Sequence, residues 1–124
     1  PLVNLFLQKR WEDKDGNIYA KRIGTLVIRM DKNTDWVNDA SFTILYGDIT
    51  KRSDYKEYMG FQLGESARYS LNSKGKNVSI QEIGWGTEDD EVTHMILEFC
   101  SSHGGSYIGS PGNTFWVDNI RLGY

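Results

Sequence analysis

The stretch VNLFLQ, residues 3–8, sets Val3, Leu5 and Leu7 against Asn4 and Gln8. Successive side chains of a strand point to opposite faces, so a period of two marks a β-strand. The pattern recurs outward from this stretch. GTLVIRM (24–30) puts Leu26, Ile28 and Met30 together, and SFTILY (41–46) does the same with Phe42, Ile44 and Tyr46. NVSIQEIGW (77–85) aligns Val78 with Ile80, and THMILEF (93–99) aligns Met95, Leu97 and Phe99. The closing run TFWVDNIRL (114–122) is rich in β-branched and aromatic residues, which favour strands. About seven short strands at even spacing predict an all-β sandwich or barrel.

The segments between these runs carry turn chemistry: EDKDGN, DKNTDWVND, NSKGKN, WGTEDDE and SSHGGSYIGSPGN. The first, with its Asp-Gly pair, reads as a hairpin loop. Gly24 and Gly84 interrupt strand-like runs, and at Gly84 the apolar register slips from Ile80 to Ile83 and Trp85, so both mark bulges. SDYKEYMGFQ (53–62) spaces Tyr55, Tyr58 and Met59 for a helical turn.

With 124 residues, the chain fits one domain spanning residues 1–124 and long enough to bury a core. Fourteen basic against 17 acidic residues leave no basic stripe for a phosphate backbone, which argues against nucleic acid. No run is apolar enough for a membrane span. The single cysteine, Cys100, sits in the apolar run HMILEFC and reads as a small core residue. Residue 1 is proline, so the chain reads as a processed or trimmed piece, and VNLFLQ is expected to lie open as an edge strand able to pair with a second chain.

Acids are scattered over Glu82, Glu91, Glu98 and Asp118, with histidines at 94 and 103. A glycosidase needs two carboxylates facing one cleft, one of them with a raised pKa. Glu98 and His94 share one side of a strand, which reads as a solvated face. Two distant histidines offer no zinc-ligand spacing, and no nucleophile elbow or phosphate loop occurs. Asn77-Val78-Ser79 matches a glycosylation sequon at a predicted strand start.

The aromatics say more. Four Trp and seven Tyr exceed what a small sandwich core uses, and several border turns: Trp11, Trp36, Trp85 and Tyr107. A flat ring beside polar side chains suits a pyranose, which offers a C–H face to stack and hydroxyls to hydrogen-bond. Asp39, Asp48 and Asn113 are candidate hydroxyl partners, and polysaccharide or oligosaccharide the candidate ligand. Asp118 is the odd residue, because strand interiors disfavour aspartate. It reads either as an anchor for the glycine-rich loop or as the partner of Arg121.

The run HMILEFCSSHGGSYIGSPGNTFWVDNIRLGY (94–124) resembles the C-terminal signature of the carbohydrate metabolism domain of Bacteroides-type surface proteins. The matching elements are Ser101 and Ser102, Gly104 and Gly105, Gly109 and Gly112, Thr114, and Val117 to Asn119. The resemblance implies an antiparallel jelly-roll β-sandwich akin to carbohydrate-binding modules. It also implies an exported bacterial protein, at the cell surface or in the periplasm, with a non-catalytic, glycan-associated role. By the same likeness Asp118 is a candidate ligand of a structural calcium ion, though Asn119 stands where a second Asp is common. The chain is short for that family, as if first strands were missing at Pro1. A structural or adhesin-like assembly module and a glycoside-processing enzyme domain are the alternatives.

Overall fold

The computed structural model describes residues 1–32, 34–102 and 112–123. Six strands occur among them: β1 (Leu2–Glu12), β2 (Ile18–Arg29), β3 (Leu45–Tyr46), β4 (Tyr69–Leu71), β5 (Asn77–Trp85) and β6 (His94–Cys100). Two single 3-10 turns, Glu57–Met59 and Gly64–Ser66, lie in the long β3–β4 connection, the first falling where the tyrosine spacing anticipated a helical turn. The all-β expectation therefore stands.

β1 and β2 form the hairpin expected at EDKDGN. The Asp13 carboxylate accepts hydrogen bonds from the backbone N–H groups of Asp15 and Asn17, both at 2.9 Å. Gly16 takes the left-handed conformation at φ +85° that the turn requires. A second hairpin turn, at NSKGKN, joins β4 to β5, with Asn72 accepting from Lys74 and Lys76 and Gly75 at φ +75°.

The strands order as β4-β5-β2-β1-β6, with β3 also on β2. This sheet is mixed rather than antiparallel throughout, because β5 runs parallel to β2. Parallel neighbours need a crossover of a dozen residues or more. Here the chain between β2 and β5 supplies it, carrying the two 3-10 turns across one face of the sheet. The outer edge of β2 is divided: Ile18 to Arg22 pair with β5, and Gly24 and Thr25 with β3.

Both bulges appear where glycine predicted them. Leu7 pairs with Gly24 and Gln8 with Arg22, so Ile23 is the extra residue of β2, fully buried. Lys21 pairs with Gly84 but Ala20 with Glu82, so Ile83 is the extra residue of β5. Such extra residues bend and twist the strand that carries them.

β1 is not an open edge. It is hydrogen-bonded to β2 on one side and β6 on the other, and buried on both faces from Val3 to Gln8. Its odd residues join an apolar layer in which Leu5, Leu7 and Ile23 pack with Leu26, Ile44 and Leu97. Its even residues, Asn4, Phe6 and Gln8, face a polar layer under the β3–β4 connection. Among the described residues the outermost strands of the sheet are β4 and β6, each paired on one side only.

Two predicted strands are only partly realised. In SFTILY just Leu45 and Tyr46 enter the ladder, and residues 113–123, which include the closing run, form no strand. Both segments lie over the apolar layer, where Arg121 reaches Asp39 at 3.5 Å and Phe115 approaches Phe99 with ring centroids 6.0 Å apart.

Candidate functional site

The two faces of the sheet offer different chemistry. On the polar face, Arg22 is fully buried and uses all five of its N–H donors. Nε and one terminal nitrogen grip the Glu82 carboxylate at 2.6 and 2.5 Å. The remaining donors reach Thr25 Oγ1 at 3.1 Å and the backbone carbonyls of Met59 and Gly60 at 3.1 and 2.9 Å. The guanidinium also stacks 3.9 Å from the centre of the Phe6 ring. Glu82 accepts further bonds from Gln8 Nε2 at 2.9 Å and Gln62 N–H at 2.8 Å.

This arrangement decides what Glu82 can do. Burial pushes its pKa up, but the hydrogen bonds and charge of Arg22, with Gln62 and Gln8, hold it below the ordinary carboxylate value. Glu98 is likewise gripped by Arg68, at 2.7 and 2.5 Å, with Asn4 at 3.1 Å. Arg68's hydrogen bonds hold it low against partial burial. Glu98 therefore sits on a half-buried, paired face rather than a solvated one. Neither carboxyl has the raised pKa of a general acid. Glu98 and Asp118 also lie on opposite sides of the sheet, since Asp118 lines the groove over the apolar layer. That removes Glu98 and Asp118 as a facing carboxylate pair.

On the apolar side, segments 34–44 and 112–123 border an open groove of about 2280 Å³ floored by Val3, Leu5, Leu26, Ile28, Leu97 and Phe99. Trp36 and Trp116, exposed to 60% and 78%, line it together with Phe42. Asp39, Asn113, Asp118 and Asn119 line it too, so polar groups share the walls with the rings. The indole N–H of Trp36 donates to Asn38 Oδ1 at 2.8 Å, which tethers that ring at the loop. Pockets for single small ligands occupy about 300–1,000 Å³. A trough this large and open suits an extended ligand better.

The groove thus brings together Trp36, Asp39, Asn113 and Asp118 of the residues singled out in the sequence. Asn113 donates to Ser102 Oγ at 2.9 Å. Arg121 meets Asp39 rather than Asp118. The other candidates lie elsewhere. Trp85 is half-buried with its ring 4.7 Å from Phe61 and near Arg22, and Asp48 caps its own turn through Thr50. Trp11 stands at the far end of β1 beside Tyr19, ring centroids 6.0 Å apart. Tyr107 lies outside the described residues. Among the described residues no group of three or more His, Cys, Asp or Glu side chains could hold a metal. No helix among them is long and apolar enough to cross a membrane.

Sequence reasoning missed Trp116 as a groove residue, and it missed the Arg22 network. A signal for the latter existed. Ile18, Ala20 and Arg22 alternate on one face of β2, so an arginine stood in line with two apolar residues. Comparison of the chain with protein-family models, with curated proteins and with solved structures found no match.

Proposed function

We propose that the protein is a non-catalytic carbohydrate-binding module, a jelly-roll sandwich in which segments 34–44 and 112–123 supply the second layer and the groove beneath them holds a glycan chain. The observation that carries this reading is the joint presence of two exposed tryptophan rings and of aspartate and asparagine side chains along one open trough. Rings stack on the C–H faces of sugars, and carboxylates and amides take their hydroxyls. The two paired glutamates on the other face support a binding role over a catalytic one.

Affinity electrophoresis through gels containing plant, host and fungal polysaccharides tests this, run with calcium and again with chelator. Retardation by one polysaccharide class, lost in a Trp36→Ala, Trp116→Ala double variant, is the expected result. Uniform mobility in every gel would overturn it. Loss of retardation with chelator and in Asp118→Asn would assign a calcium site to Asp118. The outer edge of β6 favours one other reading, assembly through strand pairing. That reading requires concentration-dependent association that a Phe99→Lys change weakens.

A further inference from the structure

A smaller cleft of about 240 Å³ opens at the opposite end of the sheet, lined by Arg10, Trp11, Glu12, Ile18, Ser70, Leu71 and His94. Strand alternation and register account for its polarity. Arg10 and Glu12 fall on the even face of β1, His94 stands across from Gln8 on β6, and Ile18 stands across from Glu12 on β2. Trp11 points the other way, toward Tyr19, so its ring is not what the cleft offers.

Arg10 contrasts with Arg22 and Arg68, whose guanidinium groups grip carboxylates. It spends Nε on Gln8 Oε1 at 2.7 Å, and its two terminal nitrogens have no hydrogen-bond partner among the described residues. His94 engages Thr93 Oγ1 through Nδ1 at 2.8 Å, which leaves Nε2 without a partner among them. Both side chains line the cleft, and burial together with the Arg10 charge lowers the His94 pKa below the ordinary imidazole value. Glu12 is turned toward the β4–β5 turn, accepting from Ser73 N–H at 2.8 Å and from the Ser73 hydroxyl. Glu82 acts on Arg10 only through its charge and is itself held by Arg22, so among the described residues no carboxylate is hydrogen-bonded to the Arg10 fork. Ile18 supplies an aliphatic surface, and Ser70, across from Val78 on the same face, a hydroxyl.

We infer that this cleft binds a small hydroxylated carboxylate, its carboxylate on the Arg10 fork and His94 Nε2, its carbon body on Ile18, and its hydroxyls toward Ser70 and Glu12. An unfilled arginine fork matches a carboxylate bidentately, and such charge-assisted pairs are the strong ones. The volume admits one molecule of monosaccharide size, so a sugar acid is the natural probe.

The test is titration of the whole protein with glucuronate, glucose and acetate, followed by NMR of the His94 ring and the Arg10 side chain. Glucuronate should move both sets of signals saturably, with glucose and acetate at least about tenfold weaker, the scale of one charge-assisted contact. His94→Gln, at an exposed position, and Arg10→Gln should each weaken glucuronate by a similar factor while the Trp36, Trp116 double variant leaves it unchanged. Absence of saturation with glucuronate would overturn the inference. Equal response to acetate would overturn the ligand class by reducing the cleft to a general anion site. Because the polysaccharide gels read the other face, failure here and failure of the groove reading are separate results.

Discussion

Replacing Glu82 with glutamine would strand a fully buried guanidinium, and removing one partner of a buried pair costs about 3–5 kcal/mol. Urea unfolding of Glu82→Gln should show a loss of that size. Glu98→Gln, whose partner Arg68 is partly exposed, should lose about 1 kcal/mol or less. An Arg22→Met, Glu82→Leu double variant should recover part of the loss by removing the lone charge, although the Met59 and Gly60 carbonyls then lack their donor. The pH dependence has a definite sign. Glu82 has a folded pKa below its ordinary 4.5, so its contribution is complete above that pH and is lost as pH falls through the folded value. Thermal melts from pH 6 downward should therefore show destabilisation beginning below about pH 4.5, as carboxylates take up protons. Glu82→Gln should flatten that slope. An unchanged slope would mean that other carboxylates govern acid unfolding.

The β1–β2 hairpin with its bulge is the element on which both faces depend. A Cβ built on Gly24 meets Ile44 Cγ2 and Leu7 Cδ1, each at 2.9 Å, so the bulge closes only around a bare backbone. Gly24→Ala should cost about 1–3 kcal/mol, the range for overpacking a core. Hydrogen exchange should place the loosening at β3 and the odd-face cluster, because β3 pairs with Gly24 and Thr25. Protection lost evenly across all strands would count against this local account. This hairpin was also the most legible part of the sequence. VNLFLQ alternates, Asp-Gly marks the turn, and Gly24 marks the bulge, all local signals that act within a few residues. The parallel pairing of β2 with β5 was not legible, because it depends on how the β3–β4 connection crosses the sheet to cover Arg22. No local pattern encodes such a return. VNLFLQ read as an edge for the same reason: its partner β6 lies more than eighty residues away. Of the groove, Trp36 and Asp39 were legible as ring and acid beside a turn. Trp116 was hidden inside a run that read as an ordinary strand.

At the scale of the molecule, one sheet separates a satisfied ionic layer from an open aromatic groove. The ionic layer is not in itself a source of net stability, since a hydrophobic replacement of such a pair is often no less stable. It fixes the crossover by tying β2, β5 and the Met59–Gly60 backbone to one guanidinium. Among the described residues the groove makes few commitments in return: Trp36 hydrogen-bonds only Asn38, and Trp116 is the most exposed of the large hydrophobic side chains. Damage to the two faces should therefore separate. Trp36→Ala with Trp116→Ala should shift stability by no more than about 0.5 kcal/mol, as exposed substitutions do, while abolishing retardation in the polysaccharide gel. Glu82→Gln should do the reverse, lowering the melting temperature while keeping retardation wherever the protein remains folded. Running both variants through the same melt and the same gel checks the separation. If the double tryptophan variant melts as early as Glu82→Gln, the two rings are core residues of the second layer, and the groove is not a binding surface.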